Sequence, residues 1–562
     1  MNILNNNLKQ IIQDIFLYRE TKKYDFSLPQ SDNSSENNDK ATNYPKNIFS
    51  DINENLKHMK IIYNSLINSD IVIRDFSLKA KNKIYKSFII YIDGMVDAKN
   101  INDFILSPLM LKNQANSYTQ KANTGTSAHT RKISRFKLED YIYNNLIPQN
   151  DIKKYNNFEN IVNDINSGNC VLFVDTLSKA YSLDTKGFKT RNIAEPNNEI
   201  VVRGSQEAFV EAIRTNTSIL RRIVNNENFI IENFKVGKIS KTNVAVCYLK
   251  NIASEDLVAE VKYRINNLNI DSLLSSGQLE QLIQDNDSIF PQIIATERPD
   301  KTVNHLFEGR VAIIVNGTPY VLIVPGILLD FMSSPEDLNV KPQYSNILRI
   351  IRLIAVFFAL LLPGLYISVT TYHQELIPTP LLFAIASSRE TVPFPIFFEI
   401  ILMEVSFELI REAGLRVPSP IGPTIGIVGA LILGEAAVSA GIVGPILIII
   451  VAITGICSFA VPDYSLSFSL RFLRFIFLFL GYFAGLLGIA TGLFVVMGVL
   501  INLKSFGVQY TEPYIPLNNQ NTRLSFFLHP IWKREKRANF LDPKKINEQG
   551  QISMIWKKPK DL

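Results

Sequence analysis

The sequence predicts an α/β soluble N-terminal region of two small mixed subdomains, followed by an α-helical multi-pass membrane domain. Three observations predict this. Residues 1 to 340 are polar and rich in Asn, Lys and Ile. Residues 347–503 are mostly apolar and rich in Gly, Pro, Leu, Ile and Phe, with runs long enough to cross a bilayer. Residues 504–562 turn polar and basic again. A chain of 562 residues is long enough for several domains. The expected parts are a variable, partly disordered extension (1–74), a first cytosolic α/β subdomain (75–200), a second (201–340), a membrane domain (341–503) and a basic tail (504–562). The membrane domain is expected to hold about five hydrophobic segments.

The soluble part is expected inside the cell. The first twenty residues lack the basic and apolar regions of a secretory signal, and Asp14 interrupts them. Cys170, Cys247 and Cys457 are far apart and odd in number, which suits neither a disulfide framework nor a zinc site. The histidines (His58, His129, His305, His373, His529) show no ligand spacing, so neither metal nor cofactor is expected. The net charge of +6 is mild. Its densest basic runs, 533–537 and Lys557-Lys558, follow the last apolar segment. That placement fits the positive-inside bias of membrane proteins rather than nucleic-acid binding.

Taken in order, residues 3–20 read as a short helix and 27–47 as a polar linker. Leu56, Ile61 and Leu66 give a helix over 52–66. The run KSFIIYID (86–93) is a strand, followed by Gly94 and a helix over 101–110. Residues 113–130 read as a loop, and 169–175 and 179–184 as strands around a tight connection. In the second subdomain Ser205 caps a helix that runs on through FVEAIRTNTSILRRIV. Strands follow at 229–236 and 243–249. A helix comes next at 254–268, with Glu255 and Asp256 in its first turn, then a short helix at 277–284 and a strand at 291–296. Strands 310–315 and 319–324 flank Asn316-Gly317, a two-residue hairpin signal.

The soluble part offers little chemistry. Gly204-Ser205 is a lone Gly before a cap, not a phosphate loop. Asp175 and Asp184 sit at strand ends, where turn roles are the default. Glu297, Arg298, Pro299 and Asp300 form a dense charged turn. It reads equally as a functional element that joins domains or contacts a partner, or as a solvated turn with a local ion pair.

The membrane block opens with the basic amphipathic stretch 346–352 and a crossing over 353–371 kinked at Pro363-Gly364. Arg349 and Arg352 place its start on the cytoplasmic side. Residues 373–395, with Arg389-Glu390, read as interfacial or re-entrant. Residues 393–423 then carry Glu399, Glu404, Glu408, Arg411, Glu412 and Arg416 among apolar neighbours. Charges at membrane depth are costly and must be shielded, paired or hydrated. At about 100° per residue Glu404, Glu408, Arg411 and Glu412 share one side of a helix. Segments 421–433 and 441–457 read as an antiparallel pair. Glu435, in their turn, is either a second intramembrane acid or a helix cap. After a break at 461–464, Arg471 and Arg474 precede the apolar run 475–503. That run exceeds one straight crossing, so it is either one long tilted helix or a hairpin at 485–488.

Four long stretches, in this order, resemble the A subunit of the GerA family of spore germinant receptors. They are VRGSQEAFVEAIRTNTSILRRIV (202–224), TERPDKTVNHLFEGRVAIIVNGTPYVLIVP (296–325), LPGLYISVTTYHQELIPTPLLFAIASSRETVPFP (362–395) and PSPIGPTIGIVGALILGEAAVSAGIVGPILIIIVAITGICSFAVPDYSLSFSLRFLRF (418–475). The resemblance covers residues 75–528. It implies a multi-pass protein of the spore inner membrane with its N-terminal domain on the core side. It also implies a permease-like B subunit and a lipoprotein C subunit as partners. Finally it implies a homo-oligomer, expected to be a pentamer, forming a nutrient-gated cation channel in contact with membrane lipids.

Three classes of function then compete. In a channel subunit the acids Glu399, Glu404, Glu408, Glu412 and Glu435, with Arg411, would line a pore or gate or pack a subunit interface. An accessory protein of dipicolinate and ion release in the same superfamily, or a secondary transporter, is the alternative; no inverted repeat supports a transporter. An intramembrane enzyme is disfavoured, because no Ser/His dyad or His-Glu metal motif is present.

Overall fold

The structure is a computed structural model of the chain. It describes residues 26–28, 45–80, 83–112, 138–149, 151–187, 196, 198–416, 434–514, 527–534 and 536–549. The expected helix over 3–20, the loop 113–130 and the apolar segment 421–433 lie outside the described residues, as does most of the linker 27–47.

The first unit begins with helix α1 (Ile52–Ile62), where the Asp51 carboxylate accepts a hydrogen bond from the Asn53 amide. Strands β1 (Ile71–Ala80), β2 (Lys83–Ile92), β3 (Ile152–Tyr155), β4 (Cys170–Val174) and β5 (Ala180–Leu183) form a sheet in the order β1-β2-β4-β5-β3. Every pairing is antiparallel. Alternate side chains point to opposite faces. Phe88, Ile90, Val171 and Phe173 therefore pack under α1 and α2 (Phe158–Asn166), while Ile89, Leu172 and Tyr181 pack on residues 96–109 and 138–147. The helix expected over 101–110 is present as wide turns at Ile101–Leu106 and Pro108–Lys112.

The second unit comprises α3 (Ile213–Ile223), β6 (Phe229–Val236), β7 (Thr242–Leu249), α4 (Glu255–Asn266), α5 (Ser276–Ile283), β8 (Ile294–Thr296), α6 (Pro299–Glu308), β9 (Val311–Val315) and β10 (Val321–Val324). Its sheet order, β6-β7-β9-β10-β8, repeats that of the first unit, again all antiparallel. The likeness extends to single bonds. The Asn55 side chain accepts from the Phe49 amide and donates to the Phe49 carbonyl; Asn216 does the same with Val210. The Ile48 amide donates to the Asn156 carbonyl, as the Phe209 amide does to the Glu297 carbonyl. Gly168 and Gly309 both end their helices at positive φ, and Thr176 and Gly317 both turn the following hairpin at positive φ. The two units are thus copies of one α-β-β-α-β-α-β-β plan.

Two local expectations are corrected. The helix expected from Ser205 starts only at Ile213. The preceding backbone is instead held in extended form by the Phe209 and Val210 bonds just described. The hairpin at Asn316-Gly317 has a five-residue connection, 316–320, rather than two. Its residues serve the neighbouring chain: Asn316 Oδ1 accepts from the Ile213 amide and the Gly317 amide donates to the Glu211 carbonyl.

The C-terminal region is helical, with α7 (Pro342–Tyr372), α8 (Thr379–Ser388), α9 (Ile396–Arg416), α10 (Pro445–Phe459) and α11 (Tyr464–Asn502). By length and composition α7 and α11 can each cross a membrane. The two readings left open for the last apolar run resolve as a hairpin. Gly485 takes φ 61° and ψ −145°, a conformation outside the helical region that glycine adopts without a Cβ clash. Past it the chain folds back, so a Cβ on Gly492 would strike the Leu480 and Phe477 side chains. Each limb is about 17–21 residues, or roughly 25–31 Å. Helix α7 runs alongside the first limb. The crossing is close because a Cβ on Gly364 would lie 2.8 Å from the Phe477 carbonyl oxygen. At the bend, Tyr372 donates to the Tyr482 carbonyl at 2.7 Å. Strands β11 (Lys504–Ser505) and β12 (Val508–Gln509) form a short hairpin after α11, and Leu28 packs with Phe506 and Val508 into the core of the second unit.

Candidate functional site

Candidate sites follow from where charge is forced into contact with apolar structure. The first is the seam between the second unit and the helical region. Leu466, Leu470, Leu500 and Leu503, from both open ends of the α11 hairpin, share one apolar cluster with Phe290, Ile294, Ile323, Phe331 and Tyr510. The loop 285–292 holds both ends. Its Ile289 carbonyl accepts from Ser469 Oγ, its Gln292 carbonyl accepts from Ser505 Oγ at 2.6 Å, and Asp285 accepts from the Phe506 amide. Arg264 of α4 fixes Asp285 and lies 4.1 Å from the Phe506 ring centroid.

The start of α7 is gripped separately. Pro335 begins a short turn whose Asp337 is 1% exposed. Its carboxylate accepts from Arg349 Nε at 3.1 Å and from Arg352 Nη1 and Nη2 at 2.7 Å each. Fork-shaped, charge-assisted bonds of this kind fix orientation as well as distance. The two arginines expected to mark the cytoplasmic end of this helix are therefore also its attachment to the second unit.

The second site lies between α9, α10 and α11. Glu404 is 1% exposed and sits 2.9 Å from Arg474 Nη2. Glu408 accepts from Arg471 at 3.0 Å, from Arg474 at 2.9 Å and from Arg411 at 3.4 Å. Arg411 also donates to Ser458 Oγ of α10 at 2.6 Å and faces the Phe459 ring at 4.6 Å. Because Ser469 touches the second unit, this cluster stands about one helical turn above the seam. Glu399 belongs to the other end of α9. It accepts from Arg389 at 2.8 Å and from the Gly444 amide at 3.1 Å, at the N-terminus of α10. Glu412 and Glu435 are exposed. The charged stretch of α9 is thus divided among a buried cluster, an end clamp and the surface.

The charged turn before α6 binds the chain that joins the two sheets. Glu297 Oε1 accepts from the Asn198 and Glu199 amides at 2.6 and 2.9 Å. Arg298, 0% exposed, donates to the Glu199 and Ser205 carbonyls at 2.9 Å each and pairs with Asp300 at 2.7 Å. Pro299 occupies the first turn of α6, where it displaces no hydrogen bond. Lys301 completes the set on Glu199 at 2.8 Å, and that contact, with the Thr296 hydroxyl and the Glu297 amide, holds the Glu199 carboxyl below its ordinary range against the opposing effect of burial. A further contact between the units was not foreseen. Arg221 of α3 and Asp70, 1% and 3% exposed, pair at 2.8 Å, and Arg221 also donates to the Phe229 carbonyl at 2.8 Å.

Sequence reasoning missed Arg471, Arg474, Arg389 and Asp337 as partners. The available signal was that arginines on an apolar helix need counter-charges. Among the described residues no group of three or more His, Cys, Asp or Glu could hold a metal ion.

Comparison with known proteins identifies the family. The model of the Bacillus/Clostridium GerA spore germination protein matches residues 57–540. Spore germination protein KA of Bacillus subtilis (strain 168) is 36% identical over 485 residues, covering 86% of each chain. Spore germination protein A1 of the same organism is 41% identical over 394 residues, 70% of this chain and 82% of that one. The uncharacterized membrane protein YfkQ, also from Bacillus subtilis, is 37% identical over 88% of this chain and 92% of its own. Among solved structures, the N-terminal domain of the A subunit of the Bacillus megaterium spore germinant receptor GerK3 is 31% identical. The match covers 50% of this chain and 97% of that one, with a TM-score of 0.36. The chain belongs to the GerA family of spore germination proteins.

Proposed function

We propose that this protein is the A subunit of a nutrient germinant receptor. Its helical region would be embedded in the spore inner membrane as a multi-pass domain, with the two sheet units on the core side. It would assemble as a homo-oligomer, a pentamer, and conduct monovalent cations when nutrient is sensed. Permease-like B and lipoprotein C subunits would be its partners. Family membership supports the receptor role, and the names of the relatives KA and A1 place them in spore germination. The apolar helices α7 and α11 support the membrane reading.

The observation that carries the channel reading is mechanical. The second unit holds α7 through Asp337 and both ends of the α11 hairpin through loop 285–292. A rotation of that unit must therefore move α7 and α11 together. Between α11 and α9, the pairs on Glu404 and Glu408 act as the latch of the gate. Glu412 and Glu435 lie exposed on the surface, where they would face a water path or a neighbouring subunit. Glu297, Arg298, Pro299 and Asp300 act as the joint through which the first unit reports on the second.

Cation current through the purified chain in planar bilayers tests this reading. A cation-selective conductance, reduced in Glu412→Gln or Glu435→Gln, is expected. Absence of conductance from a chain shown to be oligomeric and correctly folded would remove the channel reading and leave the family membership intact.

A further inference from the structure

Three guanidiniums face two carboxylates where α9 meets α11. Arg411, Arg471 and Arg474 surround Glu404 and Glu408, leaving one positive charge in excess. Solvent reaches the cluster mainly at Glu408, which is 25% exposed, while the Arg474, Arg411 and Arg471 side chains are 1%, 9% and 11% exposed. The cluster does not satisfy its own polar atoms: among the described residues Nε and Nη1 of Arg474 and Nε of Arg411 are buried without an acceptor, and both Glu404 carboxylate oxygens are buried without a donor. Both guanidiniums touch the same oxygen, Glu408 Oε1. The stretch 417–433 that follows α9 contains no acidic residue and cannot supply the counter-charge. An unbalanced charge in such surroundings is costly, and so is a buried donor left unmade.

We propose that this cluster is an anion-binding site, in which a monovalent anion sits against Arg411 and Arg474 and neutralises the α9–α11 seam. One negative charge balances the site; a dianion would meet repulsion from Glu404 and Glu408. The buried position of the free donors suits a halide-sized ion from solution. A phospholipid phosphodiester carries the same charge and is the other source of that chemistry. The site stands whether or not α9 lines a pore. It makes the packing of α9 on α11 dependent on the anion.

The test uses the full chain in phosphatidylcholine nanodiscs, with chloride exchanged for gluconate at constant ionic strength and thermal unfolding as readout. The wild type is expected to gain stability saturably with chloride. Arg411→Gln, which equalises the charges, is expected to show no chloride response. Glu404→Gln removes a repelling carboxylate and is expected to lower the half-saturating chloride concentration by at least about tenfold. If the wild type is instead stabilised in gluconate by phosphatidylglycerol discs, and chloride then adds nothing, the anion is a lipid phosphate. No dependence on chloride or on lipid charge in the wild type overturns the proposal. So does a half-saturation raised by Glu404→Gln, a readout that holds even if Arg411→Gln does not fold.

Discussion

Replacing Asp337 with asparagine tests the attachment of α7 to the second unit. The native carboxylate is 1% exposed and receives three bonds from Arg349 and Arg352, at 3.1, 2.7 and 2.7 Å. An amide keeps the shape but turns a donor toward one guanidinium and removes the charge from both. Breaking a buried ion pair costs about 3–5 kcal/mol. Here the two arginines retain 11% and 13% exposure and can turn toward water, so about 2–3 kcal/mol is expected. That corresponds to roughly 30- to 150-fold in the docking equilibrium. Hydrogen exchange on the full chain in nanodiscs reads this directly. Amides of residues 333–345 should exchange faster by about that factor, with β9 and β10 unchanged. Unchanged exchange over 333–345 would refute the coupling. Equal acceleration across β9 and β10 would show a general loss of folding instead.

Other outcomes follow from the same structure. Asp70→Asn leaves Arg221 buried without its counter-charge, so it should lower unfolding stability by about 3 kcal/mol or more, measured by chemical denaturation with sheet-specific probes. Gly485→Val places a β-branched residue at φ 61° and ψ −145°, a conformation reserved to glycine, beside His373, and should destabilise the hairpin bend by about 1–3 kcal/mol, read as a lower unfolding temperature. Burial, with the nearby Asp463 carboxylate as a second cause, pushes Glu280 up to about 7 from an ordinary value of 4.5. The folded chain therefore binds this proton more tightly than the unfolded chain. The stabilisation is complete below pH 4.5, falls as pH rises to about 7 and is flat above; Glu280→Gln should remove that slope from a series of unfolding temperatures. Cys170 and Cys247 are 0% exposed and burial pushes both thiols above their ordinary range, so native protein should resist maleimide labelling at both positions until it unfolds.

Much of this architecture is written locally in the chain. The runs KSFIIYID and VAIIV alternate or bury both faces as strands do, and the apolar stretches of α7 and α11 are apparent from composition alone. Glycine at 485 marked the bend as one of two options because glycine alone enters that conformation without cost. The internal duplication was not legible. Its evidence is a bonding pattern, Asn55 on Phe49 and Asn216 on Val210, that survives although the surrounding residues differ. The partners of Glu404 and Glu408 were hidden for another reason. Helical periodicity places charges on a face, but which face meets which is decided by packing of α9 on α11 across a long separation in sequence. The charged turn at Glu297 was equally ambiguous, since a solvated turn and a joint have the same composition. Burial of Arg298 at 0% exposure is a property of the folded linker around it.

In the channel reading proposed above, movement of the second unit opens a cation path through the helices it holds. The most direct measurement is potassium efflux from liposomes containing the full chain, with and without a disulfide engineered between loop 285–292 and the start of α11. Efflux is expected under reducing conditions and is suppressed when the crosslink locks the seam. Efflux that is equal in the locked and free forms would contradict it.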